Sequence, residues 1–414
     1  MPIVPRLLDV DFYKLTMAQV AWKCFRSFPV TYGFTNRTKD VALSAHINQE
    51  RLQDEFAYVR GRAHFSNEEL NWLRRNPIFS EDFIRFLGRH IEHERYPLDL
   101  PPVQAITERN TLTIKTTGDW PQTILWETIV LSIVNELYYR DLITTQRLSQ
   151  RRLWREGERR LLEKIATLKR HPEVKFVEFG TRRRFSRKWQ KRVLEILLAE
   201  IPDQVLGTSN VLLAKEFEIK PIGTHAHEMF MILYGYFRSL NDAVPVLSAH
   251  QTVLKTWWEE YGESLSLALT DTFGTEFFLD NFTPDQAWQW RGMRQDSGDP
   301  IEIGEKIVSF YQKQGISPKE KLLLFSDGLT LPKIIELSNR FSDRIQVSFG
   351  WGTNLTNDLG PAPLSLVMKA TEACGVPTVK LSDNPAKATG PADEIERVKR
   401  EVGYKDRPAQ AIVY

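Results

Sequence analysis

Several short apolar runs in this chain end in polar, glycine-bearing turns, and those turns hold most of the side chains that could do chemistry. Seven runs share this pattern. They are VKFVEF before Gly180, VL before Gly207, KPI before Gly223, LAL before Thr270, RGM before Arg294, LLLF before Ser326 and IQVSF before Gly350. Strands of parallel α/β folds deliver functional side chains at their C-terminal ends. The pattern therefore predicts an enzyme whose active site is built from these turns.

The turn after the third run carries two histidines, in the order Thr224, His225, Ala, His227 and Glu. A His-x-His pair could bind zinc together with Asp271 and Asp296, as in a metal-dependent hydrolase. Alternatively, one histidine could be a nucleophile that accepts a phosphoryl group. A zinc deaminase is excluded because the chain has no Pro-Cys-x-x-Cys motif. The residues alone leave the first two readings open.

Two late turns are suited to phosphate, because glycines expose backbone amides and hydroxyl groups add donors. They are Ser326-Asp327-Gly328 and Gly350-Trp-Gly352-Thr353. Barrels commonly bind phosphate in the loops after their last strands. The position of both turns near the end of the strand pattern therefore predicts a phosphate site.

The turn after RGM places two carboxylates, Asp296 and Asp299, on either side of a Ser-Gly pair. Such carboxylates can hold Mg²⁺ through water or bind the hydroxyls of a ribose. Asp299 precedes Pro300 and is equally suited to cap the next helix. Asp296 is therefore the stronger functional candidate.

The elements that position these turns fall into two regions. Alternating strand and helix patterns from 121 to 357 predict an irregular parallel α/β barrel. Residues 1–120 and 358–414 are expected to form a second, α/β sandwich domain from both chain ends. Within it, NEELNWLRRN and SEDFIRFLGRH predict helices, residues 96–121 predict a small sheet, and LSLVMKATEA and TVKLSD predict short strands.

The composition narrows the class of protein. The 55 basic and 53 acidic residues give a formal charge of +2, which offers no global case for nucleic-acid or membrane binding. Only Cys24 and Cys374 occur, so a disulfide framework is excluded. No secretory signal is visible, and the most apolar long segment is interrupted by Glu127 and Glu136. We expect a soluble cytoplasmic protein.

The motifs, taken in order, resemble those of nicotinate phosphoribosyltransferases. The resemblance rests on LLDVDFYKLTM, EFGTRRRFS, LGTSN, GTHAHE, ALTDTF, RQDSGDP, FSDGL, FGWGTNLTND and KLSDNPAK, and it extends from about Leu7 to Lys387. It implies an irregular α/β barrel with a sandwich domain made from both chain ends.

The resemblance also implies an activity. Nicotinate and phosphoribosyl pyrophosphate would give nicotinate mononucleotide and pyrophosphate, a step of NAD biosynthesis. ATP would be a co-substrate, hydrolysed through a phosphohistidine, and Mg²⁺ a cofactor, held by Asp296 through water rather than by direct protein ligands. Nicotinamide as the base is the alternative within the family. The resemblance suggests a homodimer in which Tyr13 reaches the neighbouring site.

Residue roles follow from the same motifs. His227 matches the phosphorylated histidine, and Thr353 matches a phosphate-binding position. Tyr13, Thr224 and Arg294 match positions that contact nicotinate, and Arg182 and Arg183 lie where an anionic substrate is held. Which arginine of the GTRRR motif contacts the substrate, and what His225 does, stay open at this point.

Overall fold

The fold is described from a computed structural model that covers residues 2–88, 98–108, 111–405 and 408–410. Four residues of the predicted small sheet lie outside these ranges, namely Tyr96, Pro97, Arg109 and Asn110. So do Arg89 and His90 at the end of the second predicted helix. The described residues form an α/β structure with one parallel and one antiparallel sheet, in agreement with the predicted class.

The two sheets are built from eleven strands in the described residues. They are β1 (Pro29–Asn36), β2 (Val103–Glu108), β3 (Thr111–Asp119), β4 (Phe176–Glu178), β5 (Val205–Thr208), β6 (Leu267–Leu269), β7 (Gly292–Gln295), β8 (Leu322–Phe325), β9 (Gln346–Trp351), β10 (Leu366–Ala373) and β11 (Val376–Pro377).

Seventeen α-helices accompany them in the same described ranges. They are α1 (Phe12–Cys24), α2 (Gln49–Arg62), α3 (Asn67–Arg74), α4 (Glu81–Leu87), α5 (Trp120–Thr123), α6 (Trp126–Thr145), α7 (Gln150–Leu168), α8 (Arg187–Glu200), α9 (Val211–Phe217), α10 (His227–Ser239), α11 (Pro245–Tyr261), α12 (Thr275–Asn281), α13 (Pro284–Gln289), α14 (Pro300–Lys313), α15 (Leu331–Phe341), α16 (Thr353–Thr356) and α17 (Ala392–Val402).

The parallel sheet has the order β5-β4-β9-β8-β7-β6, and all of its pairings are parallel. Six of the seven predicted runs form its strands. The KPI run does not: Pro221 makes only an isolated bridge to Thr208, because few residues separate the end of α9 from Gly223. Between the outer strands β5 and β6 no bridge occurs in the described ranges, so a closed barrel stays a prediction.

The antiparallel sheet has the order β11-β10-β1-β3-β2 and takes its strands from both sides of the parallel-sheet segment. β1 lies between β10 and β3, with Gly33 opposite both Lys369 and Lys115. The prediction of a strand in TVKLSD is wrong. That segment makes only an isolated bridge between Lys380 and Thr389, because Leu381 donates its amide to Thr272 of the other sheet's turn at 2.8 Å.

Helix α6 connects the two sheets. Every residue from Trp126 to Tyr139 is buried, as expected for a helix that is apolar around most of its circumference. The helix contacts β10 on one side and the turn after β4 on the other. Among the described helices, none combines the length and apolar character needed to cross a membrane.

Candidate active site

A cleft opens where the C-terminal ends of the parallel strands face β10 and the segment that follows it. Twelve of the residues singled out from the sequence line this cleft. They are Tyr13, Arg182, Arg183, His227, Arg294, Asp296, Ser326, Asp327, Gly328, Gly350, Gly352 and Thr353. The strand order places their turns at one edge, which is why residues far apart in the chain meet there.

Two predicted substrate-binding residues, Thr224 and Asp299, do not line the cleft. Thr224 lies behind the cleft, where its hydroxyl accepts a hydrogen bond from Arg294 Nη1 (3.3 Å). It therefore supports Arg294. Asp299 caps α14, since its Oδ1 accepts hydrogen bonds from the amides of Ile301 and Glu302, both at 2.9 Å. This is the capping role that the sequence left open, and Asp299 does not line the cleft.

His227 is the first residue of α10 and is almost fully buried. Its Nε2 lies 2.9 Å from Asp296 Oδ2, and its Nδ1 lies 3.0 Å from the hydroxyl of Thr272. Burial and the nearby Lys380 ammonium lower the pKa of His227 to about 4, against the opposing effect of Asp271 and Asp296. The imidazole is therefore neutral near pH 7, the form in which it can act as a nucleophile.

Two carboxylates share the environment of His227. Asp296 also accepts a hydrogen bond from Ser326 Oγ (2.8 Å). Although burial opposes it, the hydrogen bond from His227 and the Arg294 guanidinium hold the pKa of Asp296 well below its usual range. Asp271 Oδ1 lies 3.8 Å from His227 Nε2.

The cluster of His227, Asp271 and Asp296 could hold a cation, since their ligand atoms lie within 4.8 Å of one another. Asp271 Oδ1 is buried and has no hydrogen-bond partner among the described residues. Carboxylate oxygens are the ligands that Mg²⁺ prefers. The donor set therefore fits Mg²⁺ through the two aspartates.

His225 does not join this cluster. It is fully buried, and its ring meets those of Phe230, Trp257 and Trp290 edge to face at 5.2–5.9 Å. Neither ring nitrogen has a hydrogen-bond partner in the part of the chain described. Burial and Arg294 lower its pKa well below the usual range. His225 is thus a neutral core residue, and the predicted His-x-His zinc pair does not form.

The three arginines of the GTRRR turn have different environments. Arg184 is fully buried and forms a two-bond ion pair with Asp9, at 2.7 and 2.8 Å, so its role is structural. Arg182 Nη1 lies 3.4 Å from Glu127 Oε1, and the guanidinium carbon of Arg182 lies 5.7 Å from the ring centroid of Tyr13. Arg183 donates to the carbonyl of Leu366 at 3.2 Å. Arg182 and Arg183 line the cleft.

Two buried donors at the cleft lack acceptors in the described residues, namely the hydroxyl of Tyr13 and Nε of Arg294. Buried polar groups are nearly always paired, so an unpaired donor at a cavity is open to an acceptor from a bound ligand or from water. Tyr13 lines the cleft of its own chain, next to Arg182. The homodimer, and the reach of Tyr13 into a neighbouring site, both stay predictions.

Glycines allow two close approaches in the turn after β4 and at the end of β9. A Cβ on Gly180 would lie 2.0 Å from the hydroxyl of Thr356, so the turn after β4 could not pack against α16. A Cβ on Gly350 would lie 2.6 Å from the ring of Phe179. These positions require glycine because there is no space for a side chain.

The charge of the cleft is strongly positive. Among the described residues it is lined by seven lysines and arginines and by three aspartates. Four of the cations were missed by the reasoning from single residues. They are Arg37, Lys369, Lys380 and Lys387. Lys380 and Lys387 belong to the KLSDNPAK motif, and Lys369 alternates with apolar residues on β10. These two sequence patterns could have indicated the three lysines as site residues. The excess positive charge suits anionic substrates.

Comparison with known proteins identifies the family. The model of the nicotinate phosphoribosyltransferase family matches residues 174–409, and that of its N-terminal domain matches residues 8–135. The chain belongs to the nicotinate phosphoribosyltransferase family. It is therefore an enzyme of pyridine nucleotide and NAD biosynthesis.

Two solved structures of nicotinate phosphoribosyltransferases are similar to it over nearly the whole length. The structure from Porphyromonas gingivalis is 30% identical with a TM-score of 0.85, over 97% of this chain and 100% of that one. The structure from Vibrio cholerae is 33% identical with a TM-score of 0.86, over 98% of this chain and 95% of that one.

Proposed function

We propose that the cleft transfers the phosphoribosyl group from phosphoribosyl pyrophosphate to nicotinate, with ATP hydrolysis coupled through His227. The observation that carries the proposal is the pair of buried donors of cleft-lining residues that lack acceptors among the described residues, Tyr13 Oη and Arg294 Nε. A carboxylate offers acceptors for both, and arginine binds carboxylates strongly. An amide would leave the guanidinium without a charged partner, which favours nicotinate over nicotinamide.

The remaining cations provide for the phosphates. Arg37, Lys369, Lys380 and Lys387 line the same cleft as Gly350, Gly352 and Thr353. Backbone amides at Gly350 and Gly352 and the hydroxyl of Thr353 supply further donors to phosphate oxygens. We assign the phosphoribosyl pyrophosphate to this half of the cleft.

In the transfer step, the ring nitrogen of nicotinate forms a bond to C1 of the ribose. The bond between C1 and the pyrophosphate oxygen breaks, and pyrophosphate leaves with the electron pair. Lysines and arginines held in a largely buried site stabilise the leaving charge better than water does. When bound at Asp271 and Asp296, Mg²⁺ would add charge stabilisation for the same leaving group.

ATP is the co-substrate in this proposal. Neutral His227 attacks the γ-phosphorus, the bond to the bridging oxygen breaks, and ADP leaves. Asp296 and Thr272 hold the ring from its two nitrogens, and such fixed orientation contributes to the rate. Water later cleaves the phosphohistidine. We place the enzyme in the cytoplasm and expect a homodimer.

The test is incubation of the protein with nicotinate, phosphoribosyl pyrophosphate and Mg²⁺, with and without ATP, while nucleotide and pyrophosphate are followed. We expect equal amounts of both products, with faster formation when ATP is present. Nicotinamide at matched concentration is the control for base choice. Equal use of both bases would contradict the assignment of Arg294 and Tyr13 to a carboxylate.

A further inference from the structure

Lys14 is a fully buried lysine that none of the steps above uses. Its ammonium contacts two carboxylates, Glu127 at 2.5 Å and Glu228 through a short hydrogen bond. The side chains of all three are at most 2% exposed. The ring of Tyr32 lies 5.7 Å from the same ammonium. The two carboxylates keep the pKa of Lys14 above its ordinary value although burial opposes this.

The three charged residues lie at the starts of three different helices. Lys14 is in the first turn of α1, Glu127 in that of α6 and Glu228 in that of α10. Acidic residues are favourable at helix N-termini, whereas a lysine there opposes the helix dipole. Lys14 therefore gains nothing from its own helix, and its stabilisation comes from joining the other two.

One end of this series of contacts adjoins a cleft residue in the chain, and the other end contacts two cleft residues. Glu228 follows His227 directly, and its second oxygen accepts from Trp120 Nε1 at 2.9 Å. At the other end, Glu127 Oε1 lies 3.4 Å from Arg182 Nη1 and 3.3 Å from Lys369 Nζ. Both of these cations line the cleft. A continuous series of ionic contacts, buried at Lys14, Glu127 and Glu228, thus leads from the residue after His227 to two cations that line the cleft.

Stability alone does not account for such a series. Burying charges costs desolvation energy, and replacing a buried ion pair by apolar side chains is often neutral or stabilising. A buried network is, however, effective at fixing one geometry. Positioning is therefore the better explanation of Lys14.

We propose that Lys14 is a positioning residue that couples His227 to the anion-binding cations Arg182 and Lys369. The proposal rests on the proposed function, in which His227 is phosphorylated. A phosphoryl group adds about −1.5 to −2 charges near neutral pH, directly beside the start of α10. Because Lys14 contacts both glutamates, a shift of Glu228 moves Lys14 and with it Glu127. Glu127 in turn contacts Arg182, so the position of Arg182 changes as well. Coupling free energies between two sites are typically worth about 5- to 150-fold in affinity.

The test compares Lys14→Met with Lys23→Met. Lys23 is a matched control, because it lies in the last turn of the same helix and pairs with Glu260 (2.6 Å) instead of with the two buried glutamates. For each protein, the KM for nicotinate is measured with and without ATP, and acid-labile phosphate from γ-labelled ATP is counted. We expect Lys14→Met to incorporate label as the wild type does. The ratio of the KM without ATP to the KM with ATP should be at least fivefold smaller in Lys14→Met than in the wild type, whereas Lys23→Met should keep the wild-type ratio.

A double-mutant cycle provides the second measurement in case Lys14→Met does not fold. Glu127→Gln and Glu228→Gln are combined, and the ATP effect on KM is compared for the single and double variants. Both act through Lys14, so we expect the double variant to lose little more than either single one, whereas independent residues would show additive losses.

Each outcome decides the matter. Additive losses, or an unchanged ATP effect in folded Lys14→Met, would overturn the coupling role while leaving the proposed function intact. A wild-type protein that incorporates no acid-labile phosphate would overturn both proposals together.

Discussion

Arg294 offers the sharpest test of how the base is recognised. Its Nη1 contacts Thr224 at 3.3 Å, and its Nε lacks an acceptor among the described residues. In Arg294→Ala the hydroxyl of Thr224 keeps its bond to the carbonyl of His225 (3.0 Å), so no new buried donor is left unpaired. The loss should therefore fall on ligand binding and not on folding.

The magnitude follows from the bond that is removed. A hydrogen bond to a charged group contributes about 1.5–3 kcal/mol, and about 1.4 kcal/mol corresponds to tenfold in affinity. We expect the KM for nicotinate to rise by roughly ten- to a hundredfold. The preference for nicotinate over nicotinamide should shrink with it, because the amide never paired with the guanidinium.

Steady-state kinetics at saturating phosphoribosyl pyrophosphate measures this, with thermal unfolding as the check on folding. Arg291→Ala is the matched control, since Arg291 is exposed and lies just before the same strand. An unchanged KM in a folded Arg294→Ala protein, or an equal rise in the control, would refute the reasoning.

Three further predictions concern the phosphate turn, a helix cap and a buried carboxyl. Thr353→Val should weaken phosphoribosyl pyrophosphate binding by about 1.5–3 kcal/mol without unfolding the protein, which calorimetric titration can check. Asp299→Ala should cost about 1 kcal/mol of stability by loss of the α14 cap while leaving both KM values unchanged; a raised KM would return Asp299 to the site. Burial raises the pKa of Glu178 to about 7 from the ordinary value of 4.5. Between these two pH values the folded protein retains a proton on Glu178 that the unfolded protein releases, so the free energy of unfolding falls as the pH rises from 4.5 to about 7. Denaturant unfolding at pH 5 and pH 8 should show this loss of stability in the wild type and a smaller loss in Glu178→Gln. An equal change in the free energy of unfolding between the two pH values in both proteins would contradict the prediction.

The sequence allowed much of the parallel sheet to be predicted, because strand ends coincided with glycine-bearing turns. Six of the seven runs became strands, and their polar turns met at one cleft. The exceptions have local causes. KPI is too close to the end of α9 to form a full strand, and TVKLSD donates hydrogen bonds to the turn of another sheet.

What could not be predicted depends on long-range contacts. The strand β1 was missed although Val30, Tyr32 and Phe34 alternate, because its partners β3 and β10 lie far away in the chain. The sequence also does not show that His225 lies in the core while His227 lines the cleft. Only the aromatic rings that surround His225 decide that it lies in the core.

The most direct test of the central claim is the phosphorylation of His227. The wild type, His227→Asn and His225→Asn are incubated with γ-labelled ATP, and acid-labile phosphate on the protein is counted beside ATP hydrolysis. We predict label on the wild type and on His225→Asn, and none on His227→Asn, which should retain only slow, ATP-independent transfer. Acid-labile phosphate that persists on folded His227→Asn would contradict the assignment.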